Sequence, residues 1–152
     1  MKRSLIQFCL LLGILCIIKL KSTPDIKPNR LKTIYGSAFV GSWDWKEKGK
    51  WLEFGIDIKQ VADTLKGQLC GITLNGNRVD CAAEDADRSF SVPLPKQNSF
   101  ICTFTSAYSM EQGTASITFD GQSLIWKIIK APNGEYYFPK LARLTKIRAK
   151  HH

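Results

Sequence analysis

Ala38-Phe39-Val40-Gly41-Ser42-Trp43-Asp44-Trp45-Lys46 is the stretch from which the fold can be read. Phe39, Gly41, Trp43 and Trp45 share one parity; Val40, Ser42, Asp44 and Lys46 share the other. Side chains alternate across a pleated strand, so this stretch places its aromatic rings on one face and mainly polar groups on the other. Such alternation predicts a strand with one face buried. Gly41, two residues before Trp43, leaves a gap on that face where a neighbouring side chain or the indole itself can approach the backbone.

The same alternation continues along the chain. After a charged turn over 46–50, Leu52, Phe54, Ile56 and Ile58 alternate with Glu53, Gly55, Asp57 and Lys59. Gln60 to Thr64 reads as a turn. Leu65 to Leu74 runs back as a strand bent at Gly67 and Gly71, and Asn75-Gly76 is a hairpin signal leading into Val79 to Ala82. The polar run Glu84-Asp85-Ala86-Asp87 lacks the spacing and the glycine of a calcium loop and reads as a solvated loop at a barrel mouth. Phe90 to Val92 is a short strand stopped by Pro93 and Pro95. Phe100, Cys102, Phe104, Ser106, Tyr108 and Met110 then hold one parity, which predicts a single long strand. Glu111-Gln112-Gly113 turns the chain, Asp120-Gly121 marks another hairpin, and Pro132-Asn133-Gly134 leads into a last strand over Tyr136 to Lys146. Eight or nine short strands without a convincing helix predict an all-β fold, a single antiparallel up-and-down β-barrel of about eight strands, with a sandwich as the alternative.

Gly41-Ser42-Trp43 resembles the opening strand of the calycin superfamily, the lipocalin-like and avidin-like small barrels. The resemblance implies that Trp43 plugs one end of the barrel and that a basic residue near the end of the last strand covers it. In Leu141-Ala142-Arg143-Leu144 that residue is Arg143, so Gly41, Trp43 and Arg143 form the implied structural set. The body from 38 to 146 is small beside a typical lipocalin and nearer the avidin-like size.

Met1-Lys2-Arg3 precedes an apolar run from Leu5 to Ile18, broken by Gln7 and followed by Lys19 and Lys21. This length is short for a membrane span and suits a secretory signal. The expected organisation is a signal peptide over 1–22, a leader over 23–37 containing Pro24 and Pro28, a barrel over 38–146 and a basic tail over 147–152. The product is then an exported protein, periplasmic or secreted, and a retained N-terminal anchor is the alternative. Cys16 follows Leu15 and Cys9 follows Phe8, a context that does not suit a lipidated cysteine. Export leaves Cys70, Cys81 and Cys102 in an oxidising compartment. Cys70 and Cys81 flank the Asn75-Gly76 turn and are expected to pair diagonally across the hairpin, although Cys102 can replace either.

The formal charge of +9 falls to +5 once Lys2, Arg3, Lys19 and Lys21 leave with the signal, and five further cations cluster between Lys140 and Lys150. Between Gly41 and Pro139 acidic side chains outnumber basic ones, so the barrel carries no footprint for a phosphate backbone and no nucleic acid is expected. The basic tail leaves a peripheral contact with an acidic membrane surface open. The histidines, His151 and His152, stand at the chain end, so neither a nucleophile–histidine pair nor a zinc site can be assembled inside the barrel. Glycine-rich phosphate loops are missing. Asp44, Glu53 and Asp57 lie on adjacent strands, but their parity places them outside. The chain therefore reads as a binding protein without cofactor or metal rather than an enzyme.

Two binding modes follow. Trp43, Trp45, Phe54, Phe104, Tyr108 and Trp126 line the interior, where they either surround a small apolar or aromatic ligand or simply fill the core. Alternatively the barrel is a scaffold that grips another protein, as an inhibitor or immunity-type factor does. Aromatics at strand ends, Tyr35, Trp51, Tyr136, Tyr137 and Phe138, favour this mode, because such residues anchor interfaces. Tyr136-Tyr137-Phe138 is the most suggestive group, since three consecutive rings cannot all point inward.

Overall fold

The computed structural model describes residues 35–47, 52–73, 76–83 and 88–147. The expected signal over 1–22, most of the leader, the run Glu84 to Asp87, Trp51 and the basic tail beyond Ile147 lie outside the described residues. Among the described residues nine strands form one antiparallel sheet: β1 (Gly41–Lys46), β2 (Glu53–Val61), β3 (Thr64–Thr73), β4 (Arg78–Cys81), β5 (Phe90–Pro93), β6 (Ser99–Thr105), β7 (Gln112–Phe119), β8 (Ser123–Lys130) and β9 (Leu141–Lys146). The sheet runs β4-β3-β2-β1-β9-β8-β7-β6 and curls into a half-barrel. Each arm is a meander, and the first and last strands join the arms through Trp43↔Lys146 and Asp44↔Thr145.

β3 carries two partners along its far edge: β4 opposite Cys70 to Thr73, and β5 opposite Thr64 to Gly67. That edge faces β6 across a seam, where Thr105 N donates to Ser89 O (3.0 Å) and the Phe90 and Phe100 rings meet at 6.1 Å.

The alternation read from the sequence decides the core. Phe54, Ile56 and Ile58 of β2, Leu65 and Leu69 of β3, Ile117 of β7 and Leu124 and Trp126 of β8 are all buried. Trp126 packs against Phe54 (5.2 Å) and Phe104 (5.1 Å), and Phe138 touches the same two rings at 5.6 and 5.7 Å. Burial of each such side chain stabilises the fold by about 1.5–3 kcal/mol.

Three boundaries differ from the expected ones. The first strand begins at Gly41, because 35–39 forms a helical turn. Phe39 is still buried, with its ring against Phe100 (5.0 Å) and its carbonyl accepting Trp43 Nε1 (2.9 Å). The long strand expected from Phe100 to Met110 stops at Thr105: Ser106 N donates to Glu111 O (3.0 Å), Met110 N donates to Ser106 O (2.9 Å), and Met110 sits at φ 61°. The last strand starts only at Leu141, and the preceding segment is tied down by side chains instead of a ladder. Trp126 Nε1 donates to Pro139 O (2.9 Å), and Tyr137 N donates to the Asp80 carboxylate (3.2 Å). This segment crosses the barrel mouth over Gly71, where a Cβ would lie 2.3 Å from Tyr137 O.

Candidate functional site

The site builds upward from Asp80. Its register partner on β3 is Gly71, whose missing side chain leaves room for the Tyr137 backbone to pass close by. Asp80 is fully buried, and a buried carboxylate is costly unless hydrogen bonds surround it. Ser106 Oγ donates to Oδ2 (2.7 Å), Tyr137 N to Oδ2 (3.2 Å) and Tyr108 N to Oδ1 (3.1 Å). Ser106 Oγ in turn accepts from Tyr108 N and Ser109 N, both at 3.2 Å. One carboxylate on an edge strand therefore fixes two segments remote in sequence, the 106–111 turn and the start of the mouth-crossing segment.

This latch presents a rim of apolar and aromatic groups. Tyr108 is 48% exposed and Met110 74% exposed, with Val79 beside the latch on β4 also exposed. Tyr137 packs its ring edge-on against Tyr108 (4.7 Å) and under the Arg78 guanidinium (5.6 Å). Its hydroxyl donates to Glu135 Oε1 (2.6 Å) and accepts from Arg78 Nη1, while Arg78 also pairs with Glu135 at 2.6 Å. Desolvation, together with the hydrogen bonds to Glu135 and Tyr108, pushes the Tyr137 phenol up to about 12 against the opposing pull of Arg78. Tyr137 and Glu135 hold the Arg78 guanidinium in its charged form.

The residues expected to line the interior separate into two groups. Trp43, Phe54, Phe104 and Trp126 are in the core and Trp45 is half-buried against it. Trp43 meets Phe119, and Phe54, Phe104 and Trp126 pack with one another and with Phe138. Tyr108 does not line the interior, because the chain leaves the strand two residues before it. The partner trio also splits: Phe138 is buried, Tyr136 packs against the core, and Tyr137 alone reaches the rim.

Gly41 and Trp43 take the positions expected of them, but Arg143 does not cover Trp43. It lies on the outward parity of β9 and pairs with Asp120. Lys146 shares the inward parity of Ala142 and Leu144, and its Nζ sits 5.2 Å over the Trp43 ring. Gly41, at φ 133°, makes this possible, since a Cβ there would lie 2.6 Å from Lys146 Cε.

Cys70 and Cys81 form the disulfide, directly opposed in register and not diagonal, with Cα atoms 4.0 Å apart. Cys102 is a buried thiol on β6, pushed up to about 12 by desolvation. On the outer face of β1 to β4, Ser42, Asp44, Gly55, Asp57, Gln68 and the disulfide line an open groove of about 290 Å³. Asp44 and Asp57 lie there as parity predicts; Asp57 accepts from Ser42 Oγ (3.0 Å), and Glu53 on the same face pairs with Lys46 (2.8 Å).

Asp80, Ser106, Arg78, Glu135 and Met110 were not singled out from the sequence. Asp80 stands alone between Val79 and Cys81, and only the parity of a four-residue strand marks it as inward. Comparison with protein-family models, with curated proteins and with solved structures found no match for this chain.

Proposed function

We propose that the chain is an exported, non-enzymatic, calycin-like half-barrel that grips another protein with the rim formed by Tyr108, Met110 and Tyr137. The observation that carries this reading is the way the rim is held: a buried carboxylate fixes the turn that displays an exposed Tyr and a Met at positive φ. A fixed display lowers the ordering cost of association, and Tyr, Met and Arg are enriched in protein interfaces. A non-glycine residue at positive φ carries backbone strain of a kind that clusters at functional sites, and Met110 holds it with its side chain in solvent. The Cys70–Cys81 disulfide is compatible with an extracytoplasmic location. The mutual packing of Phe54, Phe104, Trp126 and Phe138 favours the scaffold over the interior-ligand reading.

The test places a photocrosslinking amino acid at Met110 and, in a separate protein, at Thr103 on the outer face of β6, and irradiates producing cells. A discrete protein adduct at position 110, absent at 103, is the expected result. Identical adducts at both positions, or none at 110, would overturn the reading. Tryptophan emission titrated with lipids and aromatic ligands is expected to stay flat; a saturable change would restore the interior-ligand mode.

A further inference from the structure

Cys81 follows Asp80 in the chain, so the covalent link and the polar latch are neighbours on the same short edge strand. We propose that the Cys70–Cys81 disulfide is a redox gate: its reduction frees β4, withdraws Asp80, and releases Tyr108 and Tyr137 while the rest of the barrel stays folded. This goes beyond the binding reading and does not require it.

Three features carry the inference. The disulfide is reachable, because Cys70 and Cys81 are half-buried residues on the outer face that line the open groove of about 290 Å³ with Ser42, Asp44, Gly55, Asp57 and Gln68. Apart from the disulfide, the backbone of β4 pairs with β3 over Arg78 to Cys81 alone, with Gln68 Nε2 donating to Ala82 O (2.8 Å) and Ala83 O (2.9 Å), and its other ties are the polar side-chain contacts of Asp80 and of Arg78 with Glu135 and Tyr137, which water can replace. Such a short edge pairing is marginal by itself. Finally, β4 contributes no residue to the apolar core, so its departure exposes little greasy surface, and the Asp80 carboxylate moves into water that solvates it well.

The reductant is a dithiol. One of its thiolates attacks a cystine sulfur, the S–S bond breaks, and the other cysteine leaves as a thiolate that takes up a proton. The second thiol then attacks the mixed disulfide, freeing and protonating the first cysteine. Two electrons pass to the protein, and the dithiol is oxidised to its own disulfide.

Amide hydrogen exchange on the full chain, oxidised and then reduced with dithiothreitol, tests the gate. Tyr108, Tyr137 and the β4 amides are expected to exchange about tenfold faster or more on reduction, with those of Ile56, Ile117 and Trp126 unchanged within about twofold. Unchanged protection at Tyr108 and Tyr137 overturns the proposal. Acceleration of every amide together also overturns it, since the bond is then a staple of the whole fold. In oxidised Asp80→Asn, Tyr108 and Tyr137 are expected to be released already, so that reduction adds less than about twofold; a full-size further effect there shows another route and sinks the gate.

Discussion

The two ends of the barrel are closed by different means. At one end Trp43 lies against Phe119 (6.1 Å), with Phe39 and Phe100 beside it, and the polar parts are small: the indole N–H satisfied by Phe39 O and Lys146 over the ring. At the other end a single buried carboxylate, Asp80, gathers a hydroxyl and two amides from two loops. Ring packing closes an end through area and shape, and its strength is spread over many contacts. A polar node closes an end through a few bonds, all dependent on one side chain, so it gives a fixed geometry that local chemistry can undo. The tolerant end is the one expected to be structural, and the end held by the node displays Tyr108 and Met110.

The contrast can be broken by substitution. Trp43→Ala is expected to cost about 3–5 kcal/mol in urea unfolding, whereas Ser106→Ala, which leaves Asp80 with its two amide donors, is expected to cost about 1–3 kcal/mol. Equal losses would erase the distinction between a packed and a latched end. Lys146→Met is expected to cost about 0.5–1 kcal/mol and to change tryptophan emission, while Arg143→Met leaves emission unchanged. The reverse outcome would return the covering role to Arg143.

The smallest effects are in pH. Asp120, at the Trp43 end, accepts from Ser123 N and Gln122 N and pairs with Arg143, which lowers its carboxyl below the ordinary 3.8. Its contribution is complete above 3.8 and is lost as pH falls through the depressed folded value. The Tyr137 phenol, at the opposite end, is raised from 10.0 to about 12, so its contribution is complete below 10 and fades as pH climbs through that interval. Thermal unfolding of Asp120→Asn is expected to flatten only the acid limb, and Tyr137→Phe only the alkaline limb. Either variant flattening both limbs would merge the two ends.

Much of this was legible in the sequence where the side-chain period of two is sustained. Phe54, Ile56 and Ile58, the Asp120-Gly121 turn and the Cys70–Cys81 pair follow from alternation and turn chemistry. Parity misled at Tyr108, because it carries no information about where a strand ends: a buried Ser106 that caps its own turn reads in sequence like one more inward residue. The calycin resemblance misled at Arg143, which lies on the outward parity of β9, while Lys146 on the inward parity covers Trp43. The latch itself was hidden because Asp80, Ser106 and Tyr137 come from three separate segments that only the closed mouth brings together.

β1 and β9 are neighbours in the sheet, while the seam between β5 and β6 falls in mid-chain. On the ribosome, β1 therefore waits for almost the whole chain to emerge before its second flank is covered, a long-range closure that slows assembly. A circular permutant with its ends fused and its backbone opened at the 94–98 connection would make β6 through β9, then β1 through β4, in the order in which they lie side by side. In that arrangement β5 emerges last, and its pairing with β3 across β4 replaces the β1–β9 closure as the final one.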